Sequence, residues 1–286
     1  MKNRKQLGVF MTIMTKICGV SVGGNCPPRV MGILNLSPES FYKNSIQTSS
    51  SVLEAAQKMI DEGADFLDVG ARSTAPGSEF ISVEEEKTRL FSALKELSGN
   101  VSVPISVDTM FSEVAKGALK CGADIINDIS GLKRDPKMAP LIADHGAAAI
   151  LMATKNKPGD PLGMDAVLEA LSDSVSLAKN AGIGPKKLIL DPAIGHWIPE
   201  KTPEYDFDVI HQFGRLLVFE MPILVAVSRK SFLGSINETV EDRLFSGMIA
   251  ASIAAYNGGH IIRTHDVSNT VDAVKVIHAI SKAKMI

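Results

Sequence analysis

Residues 30–41 read Val-Met-Gly-Ile-Leu-Asn-Leu-Ser-Pro-Glu-Ser-Phe, an apolar run that stops in a polar loop. Val30 to Leu34 shows no polar alternation, so it reads as a strand buried on both faces, as parallel strands are. Asn35 places an amide at the strand's end, and Pro38 biases Ser37 toward an extended or turn conformation. A buried parallel strand that ends in a polar group and a structured loop is how α/β barrels build functional sites.

Working outward from this stretch, the same pattern recurs. Further strands are expected at Phe66–Gly70, Pro104–Val107, Asp124–Asn127, Ala147–Met152, Lys187–Leu190, Pro222–Val227 and His260–Arg263. Helical spacing fills the gaps. Ser51 to Glu62 carries apolar residues on one face and closes at Gly63, and Ser82 with Glu85 fits a capping box opening a helix to Leu97. Further helices are expected over Phe111–Lys120, Pro136–Asp144, Met164–Asn180, Asp206–Phe219, Val240–Tyr256 and Thr270–Lys282. A faint repeat, Gly63-Ala-Asp65 and Gly122-Ala-Asp124, leads into the second and fourth strands.

Strands alternating with helices at spacings of roughly 20 to 40 residues match an α/β (β/α)8 TIM barrel. An open doubly wound sheet would normally carry a glycine-rich phosphate turn, and neither G-x-G-x-x-G nor G-x-x-x-x-G-K-[ST] is present. Residues 1–29 are expected to form a tail and a short N-terminal β-hairpin within the same domain, with Gly23-Gly24-Asn25 as its turn, plugging the lower end of a barrel spanning 30–286.

Composition narrows the function. At 286 residues, 45% hydrophobic and 22% charged, the chain can bury a sizeable core. A net charge of −2 gives no general attraction to nucleic acid or anionic membrane, so any anion site must be a local cluster. No apolar run reaches the roughly 18 residues of a membrane span. Cys18, Cys26 and Cys121 have no metal-ligand spacing and read as reduced thiols, and the N-terminus lacks a signal-peptide core, so a cytoplasmic location is expected.

The strand ends carry the chemistry. They supply Asn35, then Gly70–Gly77, Asp108, Asn127 or Asp128, Asp191, Ser228-Arg229-Lys230, and Arg263 with His265; only the fifth ends blandly, at Ala153-Thr154. Alternation sends Asn127 and Asp128 to opposite sides, and likewise Arg229 and Lys230, so one of each pair faces the mouth. Arg263 and His265, two apart, share a side. Two acids and an amide suit a heterocycle with several N–H donors, while Lys, Arg and His at the last strands suit phosphate.

These residues resemble the dihydropteroate synthase family over nearly the whole chain. The matching blocks are residues 30–41, Asp68-Val-Gly-Ala-Arg-Ser-Thr-Ala-Pro-Gly77, Val107-Asp-Thr109, Asn127-Asp-Ile-Ser-Gly131, Asp191-Pro-Ala-Ile-Gly195, Ser228-Arg-Lys-Ser-Phe-Leu-Gly234 and Arg263-Thr-His265. The resemblance implies condensation of 6-hydroxymethyl-7,8-dihydropterin diphosphate with p-aminobenzoate or a related arylamine, releasing diphosphate by a dissociative route. It implies that Asp108, Asn127 and Asp191 hold the pterin with Lys230, that Arg263, His265, Thr74 and Asn35 hold the diphosphate, and that Asn35 ligates Mg2+. Ser231 would lie near the amine, and Lys230, Arg263 and Asp108 would carry the catalysis. The family precedent is a homodimer.

Three departures fall on the acceptor or anion side, while the pterin set is intact. The second loop reads Arg72-Ser-Thr-Ala75-Pro-Gly where the family has Glu-Ser-Thr-Arg-Pro-Gly. His196 and Trp197 open a long insert where the family has Phe, and Leu151-Met-Ala-Thr replaces a Met-His-Met strand. The pattern resembles the archaeal branch, where pterins feed methanopterin-like cofactors and the arylamine can carry a ribosyl phosphate; Arg72 would either reach the diphosphate or meet that phosphate. A pterin-dependent methyltransferase and a non-catalytic pterin-binding barrel are the competing readings.

Overall fold

In the computed structural model, which describes residues 13–36, 50–72, 81–236, 239 and 242–283, the run around Val30 is one strand of a parallel barrel. A hairpin comes first, β1 (Met14–Ile17) with β2 (Val20–Gly23). The barrel strands are β3 (Arg29–Asn35), β4 (Phe66–Gly70), β5 (Ile105–Asp108), β6 (Ile125–Asp128), β7 (Ala148–Met152), β8 (Leu188–Asp191), β9 (Leu224–Val225) and β10 (Ile261–Thr264). They pair in parallel in the order β8-β7-β6-β5-β4-β3-β10-β9, and a parallel bridge from Leu190 to Ile223 closes the ring. Around it lie α1 (Ser50–Asp61), α2 (Val83–Leu97), α3 (Ser112–Lys120), α4 (Met138–His145), α5 (Gly163–Asn180), α6 (Pro203–His211), α7 (Arg243–Tyr256) and α8 (Val267–Lys282). The chain is a (β/α)8 barrel, and no helix among the described residues is long and apolar enough to cross a membrane.

Two-residue alternation along each strand divides the apolar residues into two cores. Met31, Phe66, Ile125, Ile150, Ile189, Leu224 and Ile261 cluster together inside the barrel with Ile17 and Val22 of the hairpin. Their neighbours Val30, Leu67, Ile126, Leu151, Leu190, Val225 and Ile262 turn outward and pack under the helices. Both faces are buried, which is why the strands read as unbroken apolar runs. The hairpin thus plugs the barrel bottom; each fully buried side chain of this size contributes about 1.5–3 kcal/mol.

The hairpin's turn is not the expected Gly23-Gly24-Asn25. Ile17 pairs with Val20, and the two residues between them, Cys18 and Gly19, have φ of 46° and 90°. Positive φ at both central positions is the demand of a tight turn whose twist matches the strands. Gly23 and Gly24 serve instead to let the chain cross itself. Gly24 N–H donates to the Ile13 carbonyl at 2.7 Å, and a Cβ on Gly23 would lie 1.8 Å from that oxygen.

The Gly-Ala-Asp repeat has one physical job. Asp65 accepts from Val30 N–H and Asp124 from Ile105 N–H, both at 2.9 Å, so each acid ties the mouthless end of its strand to the preceding neighbour. Ser82 caps α2 by accepting from Glu85 N–H at 3.1 Å. The helix expected over Asp206–Phe219 divides into α6 and a 3-10 segment, Phe213–Phe219. Gly214, a poor helix former, lies where the two meet. The seventh barrel strand is shorter than expected, because Pro222 has no N–H for the ladder and Arg229 turns the chain at φ 56°.

Candidate active site

At the carboxyl ends of the strands, the inward positions change from apolar to polar. Asp68 on β4 is fully buried. Its Oδ2 accepts from Arg263 Nε at 2.6 Å and from Asn127 Nδ2 at 3.2 Å, joining three strands. Because the Asn127 amide donates to Asp68, its Oδ1 is left as an acceptor; that oxygen and Asp68 Oδ1 are both buried without a hydrogen-bond partner. Arg263 Nη2 also lies 3.9 Å from Asp108 Oδ2. Burial, reinforced by the Asp68 charge and opposed by Arg263, pushes the Asp108 carboxyl up to about 7. Gly70 lies between Asn35 and Asp108: a Cβ there would sit 3.9 Å from Asn35 Oδ1 and 4.0 Å from Asp108 Oδ2.

Across the barrel, Asp191 Oδ1 accepts from Ala193 N–H at 2.8 Å. Burial raises its pKa, against the pull of the Lys230 charge. Lys230 enters from the loop after β9 and donates to the Ile194 carbonyl. Burial lowers its pKa to about 8, with Asp191 opposing. Its ammonium stands 5.2 Å from the centroid of the Trp197 ring. Gly195 is required where it is: its φ is +129°, and a Cβ would lie 2.8 Å from Lys230 Cδ.

Alternation is resolved on both ambiguous pairs. Asn127 faces inward, while Asp128 accepts from Ser130 N–H, Ser130 Oγ and Leu132 N–H and so shapes its own loop. Lys230 faces the Asp191 side, while Arg229 forms a two-point pair with Asp266 at 2.9 and 2.5 Å. His265 is exposed, with Nδ1 3.1 Å from Ser228 Oγ, and Ser231 is exposed at the start of a 3-10 segment. Thr74 and the loop after Leu36 lie outside the described residues.

Arg72 has a partner that its sequence neighbours do not suggest. Its guanidinium pairs with Glu86 of α2, which is fully buried and also accepts from Thr109 Oγ1 at 2.6 Å. The same guanidinium lies 5.0 Å from the Phe111 ring centroid, as does that of Arg134. Arg72→Ala would leave Glu86 with a neutral donor alone, a loss of about 1–3 kcal/mol. A fall in the urea midpoint is therefore expected, read by circular dichroism; an unchanged midpoint would mean the pair carries no stability.

Asp68 did not stand out among the strand-end residues because it lies two positions below Gly70. The available signal was a lone acid inside an apolar strand, which must be partnered to be tolerated. Asp68, Asp108 and Asn127 thus gather around Arg263 at the barrel mouth, and Asp191 faces Lys230 across it.

Residues 31–265 match the model of a family described as pterin binding enzyme. The chain belongs to the pterin-binding enzyme family. The dihydropteroate synthase of Escherichia coli (strain K12) is 37% identical over 268 residues, 90% of this chain and 93% of that one. The structure of Xanthomonas albilineans dihydropteroate synthase with 4-aminobenzoic acid superposes with a TM-score of 0.85 at 31% identity, covering 96% of this chain and 100% of that one. A Coxiella burnetii dihydropteroate synthase in complex with pteroic acid gives 0.83 at 31% identity, covering 95% and 99%. Membership of the pterin-binding family agrees with the chemistry of the pocket, where carboxylates and an amide oxygen await N–H donors.

Proposed function

We propose that this chain is a transferase of the dihydropteroate synthase type, joining 6-hydroxymethyl-7,8-dihydropterin diphosphate to p-aminobenzoate. The carrying observation is the buried Asn127 Oδ1, left without a partner by the bond its Nδ2 makes to Asp68, on the strand next to Asp108. An unpaired buried acceptor costs about 1–3 kcal/mol unless a ligand supplies the donor. An aminopyrimidine edge supplies several.

In this reading the pterin donates to Asp108, Asp191 and Asn127 while Lys230 reaches its ring. The bond between the pterin methylene carbon and the bridging oxygen breaks first, and the electron pair leaves with diphosphate. Arg263 and His265 face the charge that builds there, the placement that most lowers such a barrier. The arylamine nitrogen, beside Ser231, then attacks the methylene carbon and gives up a proton. No nucleophilic side chain takes part.

Mg2+ fits this site as a companion of the substrate. Asn35 offers one neutral oxygen at the mouth, and no cluster of three acidic, His or Cys ligands occurs among the described residues. Mg2+ is commonly held by one or two protein oxygens plus substrate phosphates and waters. Bound there with Asn35, it would neutralise part of the diphosphate charge.

A plain arylamine is the favoured acceptor, since the Arg72 cation that a ribosyl phosphate would meet is already committed to Glu86. The assay is diphosphate release with p-aminobenzoate and with a phosphorylated ribosyl-arylamine. Release with p-aminobenzoate is expected; release with neither would overturn the assignment, and release with only the second would move the chain to methanopterin-type synthesis.

We also assign a cytoplasmic homodimer. Free Cys18, Cys26 and Cys121 support the compartment. Phe245, Ile249, Ile253 and Tyr256 make an exposed stripe along α7, Phe245 being 74% exposed, with Val276 and Ile280 exposed on α8. A stripe of this kind on a helix pair suits a self-complementary interface. Phe245→Glu is expected to give a monomer by light scattering, and an unchanged dimer mass would exclude this face.

A further inference from the structure

Lys201 and Asp206 are both completely buried, although neither belongs to the pocket described above. Lys201 Nζ lies 3.2 Å from Asp206 Oδ1 and donates to the Ala193 carbonyl at 2.6 Å. Asp206 Oδ1 also accepts from Gly195 N–H at 2.9 Å. The loop between them is therefore gripped on consecutive residues by charged groups from two directions. Ala193 N–H is held by Asp191 and its carbonyl by Lys201; the Ile194 carbonyl is held by Lys230; Gly195 N–H is held by Asp206. Ala193 is kept at φ 60°, a left-handed conformation that alanine rarely adopts unaided. The insert that carries Lys201 is tied to the same loop, since the Lys201 carbonyl lies 2.8 Å from His196 Nδ1.

Stability alone does not account for this arrangement. Taking two charges out of water costs as much as, or more than, their attraction returns, and an apolar pair of similar volume usually serves the fold at least as well. The cost is visible here: burial lowers the Lys201 pKa, and Asp206 Oδ2 has no hydrogen-bond partner. What an apolar pair could not do is fix a carbonyl and an N–H two residues apart, between the carboxylate of Asp191 and the ammonium of Lys230.

The geometry points to the Lys201–Asp206 pair as a positioning device for the pterin half of the reaction, holding the 191–195 loop in the one shape that aims Asp191 and Lys230 at the same ring. The inference rests on the proposed dihydropteroate synthase reading for its catalytic consequence and on pterin binding alone for its other half. A misplacement of about 1 Å in such groups costs on the order of a hundredfold in rate.

The test compares Lys201→Met with the double variant Lys201→Met/Asp206→Leu, following thermal unfolding, calorimetric binding of 6-hydroxymethyl-7,8-dihydropterin, and steady-state kinetics for both substrates. Lys201→Met strands a buried carboxylate and is expected to lower Tm. The double variant is expected to recover Tm while its pterin affinity stays about tenfold weaker and kcat about a hundredfold lower, with KM for the arylamine unchanged. A purely structural pair would give the opposite pattern, with affinity and kcat returning alongside Tm, and that result overturns the proposal. So does a double variant that fails to fold, which would make the pair a requirement of the fold itself. Wild-type protein that binds the pterin but releases no diphosphate defeats the proposed reaction instead, and the affinity comparison still decides the positioning role.

Discussion

Arg263→Ala is expected to slow diphosphate release by roughly 10²–10³-fold, the usual loss when a preorganised donor facing developing charge is removed. The size of the effect follows from how the side chain is held. Arg263 rises from β10 and is anchored through Nε to the buried Asp68 at 2.6 Å, with Nη2 left toward Asp108. Such an anchor removes rotamer freedom before substrate arrives, so the guanidinium need not reorganise as charge builds. Asp68 and Asp108 together keep it firmly protonated against the opposing effect of burial. The variant also strands Asp68, whose remaining partner is the Asn127 amide, so Tm should fall as well. Arg263→Lys separates the two consequences. It retains a charge for the anion but cannot reproduce the planar fork, so a rate between wild type and alanine is expected. Unchanged diphosphate release in Arg263→Ala at saturating substrate would remove this residue from the anion site.

The barrel was legible in the sequence because its strands are buried on both faces and because a repeated Gly-Ala-Asp signal marks two helix-to-strand joints. Hydrophobic runs such as Phe66-Leu67 and Ile125-Ile126 leave few alternatives to a parallel sheet. Local chemistry misled where two solutions used the same residues. Gly23-Gly24 looks like a hairpin turn, yet the small size of Gly23 is needed for the approach of the Ile13 carbonyl, while Cys18 accepts positive φ in the turn itself. The pocket was legible at strand ends, where Asp108, Asn127 and Asp191 follow apolar runs. It was not legible where the deciding partner is remote. Glu86, which engages Arg72, shares the buried face of α2 with Leu90 and Leu94, and Lys201 and Asp206 meet in a surface-looking insert whose charged ends are both buried. No periodicity distinguishes a buried lysine from an exposed one; only the tertiary contacts do.

The pH dependence of pterin use is expected to be a narrow bell, with its acid limb abolished in Asp108→Asn. The pterin's N–H donors need an ionised Asp108, and its ring needs a protonated Lys230. In the free protein, burial and the neighbouring Asp68 place the Asp108 transition at about 7, and burial places that of Lys230 at about 8. The signs are opposite. The competent form of Asp108 is lost as pH falls through its value, and that of Lys230 is lost as pH rises through its own. Because kcat/KM reports groups of the free enzyme, these two limbs should frame its optimum. Asparagine in place of Asp108 offers one acceptor oxygen and no charge, a loss of about 1.5–3 kcal/mol for a charge-assisted hydrogen bond. Pterin affinity should therefore weaken by roughly ten- to a hundredfold or more. The alkaline limb should persist in that variant, displaced little, because Asp191 is the acid that acts most strongly on Lys230. An acid limb that survives Asp108→Asn unchanged would assign it to another group and remove Asp108 from direct contact with the heterocycle.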